Sequence, residues 1–166
     1  VAVAFARHLA LAGATQIVAV PTLAVVAENC ASFEPPPTPL AVVLDAKRGQ
    51  VFAAVFEWRE GAYHGIEAPH LASPRELISR YDGKISVTGE GIDYHKEAIA
   101  SSGATVVDPA IWMPRAASVC RLGWRLAEQG AFIPARDLIP LYIRRPEAEE
   151  VWENRQAGME TGKAAR

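Results

Sequence analysis

Asp45 stands where an apolar run, Leu40 to Leu44, meets the polar break Asp45-Ala46-Lys47-Arg48-Gly49-Gln50. A carboxylate where a buried strand emerges is well placed for acid–base work on a substrate. The plainer reading, favoured while Asp45 is taken alone, is turn chemistry: the side chain accepts hydrogen bonds from the backbone beyond it and fixes a hairpin. Gly89-Glu90-Gly91, after a strand-like segment and before a helix, could offer backbone N–H groups to a phosphate. Without a third glycine and a following Lys-Ser/Thr, a tight strand-to-helix turn is the simpler account. His8, His64, His70 and His95 show no metal-ligand spacing, and ordinary surface or packed histidines are expected. Ser118 and Cys120 fall on a predicted helix with no His or acid nearby in sequence to activate a nucleophile. Lys47, Arg48, Arg144 and Arg145 are too few for a nucleic-acid patch and are read as a solvated face.

The chain has 166 residues, 50% of them hydrophobic and 22% charged, with a formal net charge of −2. That is enough apolar material for one globular domain, or a domain and a half. The near-neutral balance excludes a broad basic footprint on nucleic acid. Cys30 and Cys120 lack metal spacing and are expected to be two buried free thiols in a reducing cytoplasm. No apolar run reaches the length of a membrane span. The opening, Val1 to Ala12, is apolar and Ala-rich, but Arg7 and His8 interrupt it as a signal sequence. It is expected to be a buried helix stopped by Gly13 in the left-handed conformation. A helix with nothing ahead of it suggests a piece of a longer chain.

These residues need elements to hold them. Gln16 to Val20 reads as a short buried strand, and Pro21 begins a helix running to about Ser32. Glu34-Pro35-Pro36-Pro37-Thr38-Pro39 cannot be regular structure and marks a boundary between subdomains. Residues 40 to 58 form a hairpin of Val- and Phe-rich strands. A third strand follows from Ala62 to about Ala68. Ser73, Pro74 and Glu76 predict a capped helix to about Tyr81, with a capping box. Lys84 to Thr88 is a strand, Tyr94 to Ser101 a helix, and Thr105 to Val107 a strand. Arg115 to Gln129 is an amphipathic helix with apolar residues at 119, 122, 126 and 127, stopped by Gly130. Leu138 to Ile143 is a last extended segment. From Glu147 the chain turns polar, and residues 154–166 are expected to be a disordered tail. A three-strand meander followed by alternating helices and strands is the ribonuclease-H-like order, an α/β fold whose mixed sheet is covered by helices.

Several segments, in order, resemble the TsaB (YeaZ) family, a subunit of the machinery that makes N6-threonylcarbamoyladenosine at position 37 of tRNA. They are residues 3–12, 17–23, 44–52, 73–77, 88–91 and 140–149, with Trp152-Glu153 beyond. The hairpin and Tyr142-Ile143-Arg144-Arg145-Pro146 are the most specific of them.

The resemblance implies an actin-like (ASKHA) fold with its first subdomain incomplete: residues 1–33 as the last part of the first subdomain, 34–39 as linker, and 40–153 as the second subdomain. It implies a non-catalytic, cytoplasmic scaffold without cofactor or metal. Its partners would be a TsaD-type catalytic subunit and a TsaE-type ATPase in the same complex, with tRNA met indirectly and a homodimer as a further arrangement. The sister subunit holds a metal through two histidines at i,i+4, and those positions fall on Thr22 and Val26 here. Neither side chain can replace an imidazole ligand. Family pairing uses helices of the first subdomain. Ala4, Arg7, His8 and Leu11 are therefore the expected partner-facing residues. The opening helix would be apolar all round because one face covers its own sheet and the other meets the partner. Gly89, Glu90 and Gly91 would be the remnant of a nucleotide-cleft loop. The alternatives are a glycoprotease-like peptidase and a nucleotide-binding actin-like module.

Overall fold

A computed structural model of the chain describes residues 2–13 and 15–144. Arg145, residues 146–153 of the expected second subdomain and the expected tail at 154–166 lie outside the described residues. A five-stranded mixed sheet holds the fold together. Its strands are β2 (Leu40–Asp45), β3 (Val51–Arg59), β4 (Ala62–Ala72), β5 (Ser86–Thr88) and β6 (Thr105–Val106), in the order β4-β3-β2-β5-β6. The first three form an antiparallel meander, and β5 and β6 continue it in parallel from β2. This is the ribonuclease-H-like order that the sequence implies.

β2 is central because residues 40 to 43 are all apolar and all buried. Period-2 alternation sends them to two different cores. Ala41 and Val43 pack with Leu77 and Ile78 of α3 (Pro74–Ser79), Ile92 of α4 (Gly91–Tyr94) and Ile99 of α5 (Lys96–Ala100). Leu40 and Val42 pack on the other face with Leu23, Val26 and Ala27 of α2 (Thr22–Glu28) and with Cys30 in the 3-10 turn that extends it. Each such fully buried aliphatic side chain contributes about 1.5–3 kcal/mol. A two-residue pair outside this sheet joins β1 (Ile17–Val18) to β7 (Phe132–Ile133). The long α6 (Ala116–Glu128) packs on α2, and α1 (Ala2–Ala12) lies against a 3-10 turn at Ala135–Asp137.

Several local expectations are corrected. β4 runs to Ala72 rather than Ala68, through Pro69. Between Ala53–His70 and Val55–Glu67 two residues of β4 oppose one of β3, and this bulge on an edge strand accommodates the proline. Ser73 has N-cap dihedrals and Pro74 sits at N1, but no side-chain capping bond forms; the Ser73 carbonyl accepts from Leu77 instead. The helix expected at 94–101 is two short helices that begin at Gly91 and break at His95 (φ −129°). Leu138 to Ile143, expected as an extended segment, joins no sheet; the strand that pairs with β1 is β7, six residues earlier. α1 buries no residue, so it does not cover a sheet, and Gly13 ends it without a left-handed φ. α6 is amphipathic as expected, with Ser118 buried and Leu122, Leu126 and Ala127 half-buried, but Val119 is 42% exposed. Cys30 is buried, and burial pushes its thiol up to about 11, but Cys120 is exposed.

Candidate functional site

The hairpin bend begins where Asp45, the last residue of β2, pairs with Val51. Lys47 (φ 61°), Arg48 (φ 54°) and Gly49 (φ 74°) are three successive left-handed residues, closed by hydrogen bonds from Ala46 N–H to the Gln50 carbonyl and from Gln50 N–H to the Lys47 carbonyl, both 3.0 Å. The Asp45 carboxylate accepts the Lys47 backbone N–H at 3.0 Å and pairs with Lys47 Nζ at 2.7 Å. The bond to Lys47 holds this carboxyl below its ordinary range, against the opposing effect of burial. The turn chemistry expected of Asp45 is therefore present. Arg144 braces the bend from outside, donating to the Ala46 carbonyl and to Gln50 Oε1 (2.6 Å).

The structure brings a second predicted segment to this bend. Gly89-Glu90-Gly91 forms the turn from β5 into α4, and Glu90 Oε1 accepts the Asp45 backbone N–H at 3.1 Å. A Cβ on Gly89 would stand 2.2 Å from the Val43 carbonyl oxygen, and one on Gly91 3.0 Å from Leu44 C. Both glycines are there so that this turn can cross the end of β2 backbone to backbone. α4 is a single turn of four residues. His95 also joins the bend: Nε2 is buried, has no hydrogen-bond partner and lies 3.7 Å from Asp45 Oδ1. Lys47 Nζ sits 4.8 Å from the centroid of the Tyr94 ring. Sequence spacing could not have found Tyr94 and His95, because they reach Asp45 only through the fold of β5 onto β2.

The two positions expected to lack metal ligands are in α2: Thr22 is exposed at its first residue and Val26 is 0% exposed in the core. A hydroxyl at the surface and an isopropyl group in the apolar core do not fit a metal ion. Among the described residues there is no group of three His, Cys, Asp or Glu that could hold one. The other histidines are apart: His8 Nδ1 turns back to the Ala4 carbonyl (2.7 Å), and His70 lies beside Glu67 on β4. Ser118 is fully buried, donating to Asn29 Oδ1 at 2.7 Å.

α1 has an inverted pattern. Its half-buried residues, Val3, Ala6, Arg7 and Ala10, follow i, i+3, i+4, i+7 and are mostly small. The larger apolar residues point away: Phe5 is 65%, Leu9 50% and Leu11 75% exposed. Of the expected partner-facing residues, Ala4, His8 and Leu11 lie on this outer side, while Arg7 lies on the inner one. Phe5 and Leu9 were missed; their i,i+4 spacing was the available signal. Next to α1, an apolar groove of about 630 Å³ runs between the start of α2, the hairpin and residues 138–144, with Leu141 and Tyr142 exposed on its rim.

Residues 1–152 match the sequence model of the family described as TsaD: tRNA N6-adenosine threonylcarbamoyltransferase. Among solved structures, the chain is similar to YeaZ from Pseudomonas aeruginosa at 20% identity and a TM-score of 0.72, covering 85% of this chain and 66% of that one. It is also similar to an uncharacterised protein described as having similarity to peptidase YeaZ from Pseudomonas aeruginosa, at 20% identity and a TM-score of 0.74, covering 86% of this chain and 66% of that one. The chain thus corresponds to just under two thirds of the length of these structures. No curated protein matches it. The structural likeness gives the fold: a YeaZ-like mixed α/β architecture.

Proposed function

The chain belongs to the TsaD family of tRNA N6-adenosine threonylcarbamoyltransferases, and from that premise we propose that it is a TsaB-type, non-catalytic subunit in the formation of threonylcarbamoyladenosine on tRNA. In this reading residues 1–33 belong to a first actin-like subdomain and 40–153 to a second. α1 docks on a TsaD-type catalytic subunit, a TsaE-type ATPase joins the same complex, and tRNA is met indirectly in the cytoplasm. No helix among the described residues is long and apolar enough to cross a membrane.

One observation carries the proposal. α1 turns its small residues inward and its Phe and Leu side chains outward, the reverse of what a helix at rest on its own core does. Phe5 and Leu9, four residues apart, form one exposed apolar strip, and Leu11 is exposed on the neighbouring side with Ala4 and His8; apolar groups left uncovered in this way favour a protein partner. The chemistry at Thr22 and Val26 supports the non-catalytic branch, since neither side chain can ligate the metal that the catalytic subunit uses.

Co-expression with the cognate TsaD-type subunit tests this. Phe5→Asp with Leu9→Asp, and separately Ala4→Glu with His8→Glu, should abolish co-purification. The isolated chain should keep its stability within about 0.5 kcal/mol per substitution, as surface changes do. Complex formation that survives both pairs of substitutions would sink the reading.

A second reading, a nucleotide cleft at Gly89-Glu90-Gly91, is favoured by the meeting of that turn, Lys47 and Arg144 at the end of the central strand β2. Calorimetry with ATP on the wild-type chain and on Lys47→Ala tests it: binding weakened in Lys47→Ala places ATP at this turn, and binding unchanged in that variant sets the reading aside.

A further inference from the structure

A pocket of about 450 Å³ opens between the end of α2, the β3–β4 turn and the start of α6. It lies at the end of β2 opposite the hairpin bend: Trp58, in its wall, is two residues past Phe56, the partner of Leu40. Its floor is a closed polar network. Asn29 Nδ2 donates to the carbonyls of Ile111 (2.8 Å) and Met113 (2.9 Å), and Asn29 Oδ1 accepts from Ser118. Glu28, 2% exposed, is gripped by Arg125, which donates at 2.9 Å to one carboxylate oxygen and at 3.5 Å to the other. Every group in the floor has a partner, so the floor is fixed before any ligand arrives.

The charge in and around the pocket is unbalanced. Glu28 is the one carboxylate among the lining residues, which include two guanidinium groups, Arg115 and Arg121; Arg125, outside the lining, reaches Glu28 from α6. Arg125 holds Glu28 at 2.9 Å and Arg121 Nε lies 3.6 Å from the same oxygen, so three guanidinium groups stand against one carboxylate, a formal excess of two positive charges at and beside the lining. Arg121 donates to Ser118 Oγ (2.9 Å), and Arg115 donates to the Ala110 carbonyl (2.7 Å). Each guanidinium carries five N–H donors in a planar fork, so these contacts leave further donors on both. The wall adds a flat apolar surface. Trp58 is held by its backbone N–H to Thr38 Oγ1 (3.0 Å) and by an edge-on contact with Tyr63, centroids 4.9 Å apart.

Two guanidinium forks and an indole, in a space of small-ligand size, are the chemistry that recognises a phosphate attached to a planar base. We propose that this pocket binds a nucleotide, with the phosphate on Arg115 and Arg121 and the base against Trp58. The phosphate could belong to a free mononucleotide or to a single strand of RNA. The inference stands on the pocket alone and does not depend on the scaffold reading.

Calorimetry on the full chain at low salt tests it, with AMP, a short oligouridylate and inorganic phosphate as probes. AMP should bind saturably and at least about fivefold more tightly than inorganic phosphate, because only AMP can use Trp58. Arg115→Gln should weaken AMP and oligouridylate by about tenfold. Arg115 makes only an exposed hydrogen bond, so this variant folds even if Arg121→Gln, which loosens the Glu28 and Ser118 contacts, does not. Oligouridylate binding more tightly than AMP identifies RNA as the source, and the reverse identifies the free nucleotide. Absence of saturable binding, equal affinity for AMP and phosphate, or binding unchanged in Arg115→Gln overturns the proposal.

Discussion

Glu90 and Asp45, 45 residues apart in the chain, are joined by one hydrogen bond: the Asp45 backbone N–H donates to Glu90 Oε1 at 3.1 Å. It fixes the hairpin bend against the β5–α4 turn, two segments that the sequence marks independently. The acceptor is a carboxylate in a half-buried position, so the bond is stronger than a neutral one.

Glu90→Ala should therefore lower stability by about 1.5–3 kcal/mol, read from urea denaturation at neutral pH. Glu90→Gln retains an acceptor oxygen and should lose less than half as much. Equal losses for the two would mean that the bond contributes little and that packing of the side chain is what matters.

Two glycines separate backbone conformation from crowding. Gly49 has φ 74° with nothing within 4 Å of a built Cβ, so Gly49→Ala should cost only about 1 kcal/mol. Gly89 has φ 110°, and its Cβ would meet the Val43 carbonyl oxygen at 2.2 Å. Gly89→Ala forces β5 and α4 away from the central strand, and a loss above about 3 kcal/mol is expected. A thermal melt of each variant distinguishes the two classes.

Acid should act through Asp45. Its carboxyl titrates lower in the folded chain than in the unfolded one, chiefly through the bond to Lys47. The unfolded chain therefore binds more protons over that interval. The stabilisation is complete above the unfolded value of about 4, and it is lost as pH falls through the folded value. Urea midpoints measured from neutral pH into that acid range should show a steeper fall for the wild-type chain than for Asp45→Asn. Parallel curves would remove Asp45 from the account.

Glu28 tests the second polar centre. It is 2% exposed and paired with Arg125 at 2.9 Å, with Arg121 Nε at 3.6 Å. Removing one partner of a buried pair costs about 3–5 kcal/mol. Arg125 is 37% exposed and Arg121 stays nearby, so Arg125→Ala should cost less, about 2 kcal/mol. Glu28→Gln with Arg125→Ala should cost less than the sum of the two single changes, measured by chemical denaturation of all four proteins in the cycle.

The elements legible in the sequence are those written by local chemistry. The apolar runs on either side of Asp45 predict the hairpin, the prolines at 35–37 and 39 predict the break before it, and Gly130 (φ 72°) closes α6 where expected. Ser73 predicts the start of α3 but not the missing capping bond. Pro69 argues for ending β4 early, but an edge-strand bulge lets the strand continue. Leu138 to Ile143 is apolar enough to suggest an extended segment, but that it joins no sheet is not written in its residues.

The site divides in the same way. Residue types indicated that Asp45 shapes a turn and that Gly89 and Gly91 sit where the backbone must turn tightly; the family resemblance, not the residue types, singled out Thr22 and Val26 as the positions that lack imidazoles. The first two follow from the covalent chemistry of one residue and its near neighbours. Only the tertiary structure decided that Glu90 reaches the Asp45 backbone, that His95 and Tyr94 join the same bend, that Trp58 lines one pocket with Arg115 and Arg121 from the start of α6, and that the Phe5 side of α1 faces outward. Those relations depend on strand order and on which helix face finds a core. Such choices are settled by burial summed over the whole chain rather than by any local pattern.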